Sequence, residues 1–246
     1  MPSRTLLLQS YPAEIAKVMK DLKDMELLKY NSKEQIEDSL VNLMERYTFP
    51  LVFEDDFAII CDVGRVDKNV YLSAKGNHLR LDAFDMSLTL EKENPAQDSA
   101  FFTEELRNYF VKNYPENYVQ CFESDHKNTI IMTKIINDTN NQFTASISFR
   151  FECHQNSFNS ICEFKSRNFE ECNISASNFS NFSCEISEKM TILSAIEKSI
   201  KNFRLNLNNF YSEIYEQNFK HFRRALPITK AKIDWQNFTP FLMQKE

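Results

Sequence analysis

Glycine is scarce in this sequence, with 2 residues in a chain of 246, and this scarcity excludes several classes of enzyme. Rossmann and P-loop proteins bind phosphate through clustered glycines, which let backbone N–H groups approach the ligand closely. Gly64 and Gly76 stand apart from each other and cannot form such a loop. Any function therefore has to come from side chains or from surfaces.

Long apolar runs are also missing. No stretch approaches the ~18 apolar residues of a membrane-spanning helix, and the apolar run at residues 6–8 is too short for a signal peptide. Because 42% of the residues are hydrophobic, the chain can still bury a substantial core. The sequence predicts a globular, cytoplasmic protein that does not cross a membrane.

The residue types that can bind metals or act as nucleophiles show no spacing typical of a metal site or a catalytic site. None of the six cysteines forms a Cys-x-x-Cys pair, and the four histidines are scattered. The acidic pairs Glu104-Glu105 and Glu170-Glu171 are adjacent, so their side chains point apart on a helix or a strand. The sequence predicts reduced, mainly buried cysteines, no metal, no cofactor and no catalytic residue.

The overall charge does not indicate a nucleic-acid partner. The chain has 29 basic and 35 acidic residues, which gives a formal net charge of -6. No strand shows the alternation of surface aromatic and basic residues that stacks on bases. Any basic site must be local.

Hydrophobic periodicity predicts an α+β protein. Apolar residues recur at helical spacing through residues 1–49, which we interpret as a helical stalk. Short β runs follow at residues 50–92, and a helix is predicted at residues 99–114. We divide the chain into the stalk (1–49), the small β region (50–92), a helix with an antiparallel sheet (93–186), a long helix (187–226) and a C-terminal segment (227–246).

The predicted sheet is a meander. Residues 118–186 contain several strands joined by short loops rich in Asn, Asp and Ser, and no helix interrupts them. The clearest strand is residues 143–151, where Phe149 and Phe151 belong to an apolar row that alternates with polar residues. The long helix that follows is expected to cover this sheet.

The long helix is predicted at residues 188–222 from a heptad row with steps of three and four residues. Such a narrow row packs on a sheet of the same chain, on a second chain, or on both, and these alternatives remain open at this point. Its members are Leu193, Ile196, Ile200, Phe203, Leu207, Phe210 and Ile214.

A basic segment follows this row. Residues 217–233 contain five basic residues and no acidic residue, although the chain as a whole is acidic. Pro227 ends the helix, and apolar residues and Trp235 flank the charges. A helix end that attracts cations through its dipole would explain part of this pattern. The five residues are Lys220, Arg223, Arg224, Lys230 and Lys232.

Residues 219–235 read Phe-Lys-His-Phe-Arg-Arg-Ala-Leu-Pro-Ile-Thr-Lys-Ala-Lys-Ile-Asp-Trp. This segment resembles the signature of the F-actin capping protein α-subunit family, Phe-Lys-x-Leu-Arg-Arg-x-Leu-Pro-Val-Thr-Arg-x-Lys-Ile-Asp-Trp. Residues 106–114 and 11–14 resemble two further family segments more weakly. The family's tryptophan-containing strand segment is missing, so the chain looks like a divergent member.

The resemblance implies an actin-binding protein of the cytoskeleton. In that family an α and a β subunit pair through a sheet that runs across both, under antiparallel long helices, and the dimer caps the barbed ends of actin filaments. The resemblance implies that the heptad row is the dimer helix and that Lys220, Arg224 and Lys230 contact actin, with Arg223 and Lys232 as neighbours in the same actin-binding segment. The family's C-terminal tentacle corresponds here to a short segment with Phe238, Phe241 and Leu242.

Three alternatives stay open. The second subunit is either a β-type chain or a second copy of this chain. The preferred filament is either actin or an actin-related protein. A different function, binding of anionic phospholipids such as phosphoinositides, would use the same basic segment without actin.

Overall fold

The computed structural model describes residues 18, 21, 33–94, 101–124, 127–137, 143–154, 157–168, 174–186 and 191–225, with backbone only for residues 214–225 and for some strand ends. The chain divides into two compact units, residues 1–206 and residues 207–246. Much of the predicted stalk and residues 226–246 lie outside the described residues.

Three helices are described: α1 is Lys33–Arg46, α2 is Glu104–Asn113 and α3 is Ile192–Ala225. The prediction placed the start of α2 at residue 99, which was too early. Thr103 caps this helix, because its hydroxyl accepts a hydrogen bond from the backbone N–H of Leu106 at 3.5 Å. Phe102 therefore precedes the helix and packs on Phe110, with ring centroids 6.1 Å apart.

The small β region, predicted as short β runs at residues 50–92, contains six strands. A hairpin of β1 (Phe49–Phe53) and β2 (Asp56–Ile60) precedes an antiparallel sheet of four strands in the order β3-β4-β5-β6. These four are Arg65–Asp67, Val70–Leu72, His78–Asp82 and Ser87–Lys92.

The two glycines have structural roles in this region. Gly76 has a φ of 89°, which side chains rarely adopt, and it lies in the turn between β4 and β5. A Cβ at Gly64 would lie 2.8 Å from the ring of Phe122. Both positions need glycine for local geometry, which agrees with the exclusion of a phosphate-binding loop.

Helix α1 lies on this β region and forms a core with it. Its buried face includes Leu40, Leu43 and Met44, which belong to one hydrophobic cluster with residues of β1, β4 and β5. At its C-terminal end Glu45 binds the Arg65 side chain and accepts a hydrogen bond from the Tyr71 hydroxyl at 2.8 Å. Burial of its ring is the main reason that the pKa of Tyr71 is raised.

The main sheet is an antiparallel meander of five strands, as predicted, in the order β11-β10-β9-β8-β7. Each strand pairs with the next in the chain, so no helical crossover is needed. The strands are β7 Tyr118–Phe122, β8 Asn128–Asn137, β9 Phe143–His154, β10 Ser157–Asn168 and β11 Ile174–Glu185.

The two faces of this sheet contact different parts of unit 1. The helix face carries Phe149, Phe151 and Phe158, which are all buried. The β face carries Gln120 and Ile131 and packs against the small β region. The apolar row predicted at residues 143–151 therefore points to the helices. There the ring centroids of Phe110 in α2 and Phe151 lie 6.4 Å apart.

Buried polar contacts fix the small β region to the β face. The side-chain amide of Gln120 accepts a hydrogen bond from the N–H of Ile59 at 3.0 Å and donates one to the carbonyl of Leu72 at 2.8 Å. Further out, Arg150 binds the carboxylate of Asp62 at 2.9 Å. These contacts join residues that are far apart in sequence, so they fix the angle between the sheet and the β region.

We predict that Gln120→Leu destabilises the protein. The substitution leaves the N–H of Ile59 and the carbonyl of Leu72 unpaired, and each loss costs about 1–3 kcal/mol. Urea unfolding should show a free energy of unfolding about 2–5 kcal/mol lower. Ser87→Leu, at an exposed strand position, should change it by less than about 0.5 kcal/mol. Equal effects of the two substitutions would contradict the role of Gln120.

Candidate interaction site

The first half of α3 lies on the helix face of the sheet. Its heptad row supplies Ile196, Ile200 and Phe203, all buried. The Phe203 ring meets the Phe149 ring edge to face, with centroids 5.1 Å apart. The prediction that this row packs on a sheet of the same chain is confirmed for this half of the helix.

A buried polar contact crosses the same interface. The hydroxyls of Ser199 and Ser160 lie 2.5 Å apart, and the thiol of Cys162 lies 3.8 Å from the Ser199 hydroxyl. Near the end of unit 1, the side-chain amide of Asn206 donates to the Ser180 hydroxyl at 3.0 Å. These contacts fix the rotation of the helix as well as its position, because each depends on one helical face.

The other members of the heptad row are less completely covered. Leu193 and Phe210 are half-buried, and Leu207 is buried. The side chain of Ile214 lies outside the described residues. Leu205, outside the row, is 54% exposed.

The basic segment is described only in part. Backbone in α3 is helical through Ala225, so Lys220, Arg223 and Arg224 occupy helical positions at spacings of three and four residues. Positions 220, 223 and 224 therefore share one side of the helix. Lys230 and Lys232 lie outside the described residues, as do the tentacle residues Phe238, Phe241 and Leu242.

Three cysteines of unit 1, Cys61, Cys153 and Cys162, are buried. Burial raises the pKa of Cys61 and of Cys153 to about 12, and that of Cys162 to about 11. A thiol with such a pKa carries almost no thiolate at neutral pH. The prediction of reduced, buried cysteines is confirmed for these three residues.

The described residues also bear on metals and membranes. Within them, no three His, Cys, Asp or Glu side chains come together as metal ligands. None of the described helices has the length and apolarity of a membrane span.

The far edge of the sheet was not singled out from the sequence. Strand β11 pairs with β10 over its whole length, and on its other side no strand of the described chain lies against it. A row of exposed residues follows its β face: Ser177, Phe179, Asn181 and Ser183. The sequence predicted several strands within residues 118–186, but it did not indicate which of them would lie at an edge of the sheet.

The described chain is an α+β fold in which a long helix covers one face of a meander sheet and the edge strand β11 pairs on one side only. The family model of the F-actin capping protein alpha subunit matches residues 3–246. The chain therefore belongs to the F-actin capping protein α-subunit family, and the predicted resemblance to that family is confirmed.

Two curated relatives and a solved structure agree with this assignment. The F-actin-capping protein subunit alpha of Schizosaccharomyces pombe is 21% identical over 253 aligned residues, covering 97% of this chain and 96% of that protein. The subunit alpha of Kluyveromyces lactis is 22% identical over 243 residues, covering 94% and 90%. The homodimeric actin capping protein alpha subunit from Plasmodium berghei has the same fold, with a TM-score of 0.71 at 16% identity, covering 93% of this chain and 96% of that chain.

We predict that the contact between α3 and the sheet contributes strongly to stability. Phe203→Ala removes the buried ring and leaves a cavity beside Phe149, so the free energy of unfolding should fall by about 3–5 kcal/mol. Leu205→Ala, two positions along the same helix but 54% exposed, is the matched control and should change it by less than about 0.5 kcal/mol. Urea unfolding at one protein concentration compares the two, and similar losses would show that α3 is not held by this contact.

Proposed function

We propose that this chain is the α-type subunit of a dimer that caps the barbed ends of actin filaments and blocks subunit addition and loss there. The single observation that carries this proposal is the family match over residues 3–246. The protein would work in the cytoplasm, on the actin cytoskeleton. Its action would be binding and not catalysis.

The basic segment is the proposed contact with actin. Helical backbone through Ala225 keeps Lys220, Arg223 and Arg224 on one side of α3. Lys230 and Lys232 would add to this positive charge, and acidic surface on the terminal actin subunits would receive it. Charge complementarity of this kind speeds encounter and fixes orientation. Phe238, Phe241 and Leu242 are proposed as a short apolar tentacle that supplements the charged contact.

The long helix is the proposed dimer helix. Its first half lies on the sheet of its own chain, through Phe203 and Ser199. A second subunit would complete the coverage of the half-buried members of the heptad row, Leu193 and Phe210. Capping would then depend on a dimer, whose second subunit is either a β-type chain or a second copy of this chain.

Elongation of pyrene-labelled actin from barbed-end seeds tests this function. The purified chain, either alone or together with a β-type subunit, should stop elongation at concentrations far below that of actin. We predict that the triple variant Lys220→Ala, Arg224→Ala, Lys230→Ala weakens capping roughly a hundredfold, because each exposed charge contact contributes about 1 kcal/mol. The effect should decrease as the salt concentration rises.

A matched variant separates local contacts from net charge. Lys112, Lys198 and Lys201 are exposed residues of α2 and α3, and changing all three to Ala alters the net charge by the same amount. This control should cap like the parent chain. Equal weakening of both triple variants would contradict a local actin contact. Unaltered elongation with the parent chain in both preparations would contradict capping itself, and actin-related filaments and phosphoinositide vesicles would then be assayed.

A further inference from the structure

Helix α3 is held from two opposite sides near the end of unit 1. The Arg204 guanidinium donates a hydrogen bond to the Tyr114 hydroxyl of α2 at 3.5 Å. The Asn206 side-chain amide donates one to the Ser180 hydroxyl of β11 at 3.0 Å. Because successive helical residues are rotated by about 100°, the side chains at positions 204 and 206 leave the helix about 160° apart. We call these two contacts the bracket of α3.

The two residues that accept these hydrogen bonds are themselves fixed. Tyr114 is the C-terminal cap of α2, and its backbone N–H donates to the carbonyl of Phe110 at 2.8 Å. The ring centroids of Tyr114 and Tyr109 lie 6.0 Å apart. Ser180 is buried, and it pairs with Cys162 in the register of β10 and β11. The bracket therefore connects α3 to a packed helix on one side and to a strand of the main sheet on the other.

The contacts beneath α3 restrict its rotation less than the bracket does. Phe203 and Ser199, which meet the sheet, leave the helix only about 40° apart. If the helix rolls about its axis, these two side chains move sideways in the same direction. Arg204 and Asn206 lie on opposite sides of the axis, so a roll pulls one of them away from its partner whichever way the helix turns. The bracket therefore restricts roll in both directions.

The rotation of α3 matters for the charges that it carries. The helix is continuous from Ile192 to Ala225, so a roll is passed along the hydrogen-bonded backbone to positions 220, 223 and 224. A side chain about 6 Å from the axis moves by about 2 Å when a helix rolls by about 20°. Hydrogen bonds form only between about 2.7 and 3.2 Å. Such a roll would therefore be enough to break a close contact with the basic segment.

We propose that the bracket residues are positioning residues for the proposed actin contact. They are Arg204, Asn206, Tyr114 and Ser180. They fix the rotation of α3, so that the basic residues of the same helix meet their acidic partners together. This inference rests on the proposed function, because it assigns a role within capping. It goes beyond that function, since the bracket residues lie outside the basic segment and act through it.

A positioning role predicts a change in one rate constant of capping and not in the other. Long-range attraction sets the rate of encounter and depends little on the exact placement of the charges. The double variant Tyr114→Phe, Ser180→Ala removes both acceptors and leaves α3 and the net charge unchanged. Its dissociation from barbed ends should be about five- to tenfold faster, because misaligned contacts break sooner. Its association rate should stay within about twofold of the parent, with the same salt dependence.

Single-filament fluorescence microscopy measures both rate constants from the onset and the length of each pause in elongation. The parent is used in whichever preparation stops elongation, alone or with a β-type subunit. A double-mutant cycle then shows whether the bracket acts through the basic segment. In the background Lys220→Ala, Arg224→Ala, Lys230→Ala, loss of the bracket should speed dissociation by less than about twofold. A general loss of structure would instead have the same effect in both backgrounds.

Matched variants complete the experiment. Ser180→Thr keeps the hydroxyl and should cap like the parent. The pair Tyr118→Phe, Ser183→Ala makes similar changes on β7 and on the β face of β11, away from α3, and should also cap like the parent. Urea unfolding and light scattering check that each variant has the fold and the mass of the parent.

The possible outcomes separate this inference from the proposed function. Parent-like dissociation of the variant Tyr114→Phe, Ser180→Ala, or an equal effect in both backgrounds, would overturn the positioning role and leave the capping function intact. A parent chain that does not cap in either preparation would overturn both.

Discussion

The structure of unit 1 depends on how the two faces of one meander sheet are covered. On the helix face, Phe149 packs on Phe203, and Ser160 contacts Ser199 across the same interface. On the β face, Gln120 pairs with two backbone groups of the small β region. The helices and the small β region both contact the sheet through buried groups, and breaking these contacts costs free energy. Since the β face of β11 remains exposed, coverage decreases across the sheet toward an open edge.

Periodic segments are the parts of this fold that the sequence predicts well. The heptad row located α3, and the alternation around Phe149 located β9, because one buried face imposes one period on many residues. Strands β5 and β6 were predicted only as part of the β region at residues 50–92 and not as individual strands. In β5 the buried Leu79 and Leu81 alternate with charged residues over a strand of only five residues, and short charged strands resemble loops. The start of α2 was also missed, since the Thr103 cap decides it locally.

The candidate site also has parts that the sequence predicts and parts that it does not. A motif was enough to identify the family, because residues 219–235 carry a long and specific pattern. The contacts that position α3 could not be predicted, since Ser199 and Ser160 are 39 residues apart and nothing in either local sequence indicates the other. The open edge of β11 was equally hidden: a strand's place in its sheet is a property of the whole topology and not of its own residues.

The actin contact and the dimer contact proposed for this protein differ in the forces that hold them. The basic segment would meet actin through exposed charges, which act at a distance and weaken as salt rises. The β11 edge has no charge between Ile174 and Cys184, so pairing there would use backbone hydrogen bonds and apolar burial, which salt screens little. Moderate salt would therefore release the filament before it separates the subunits. A capping protein with this division of forces can leave a filament end and remain assembled for the next one.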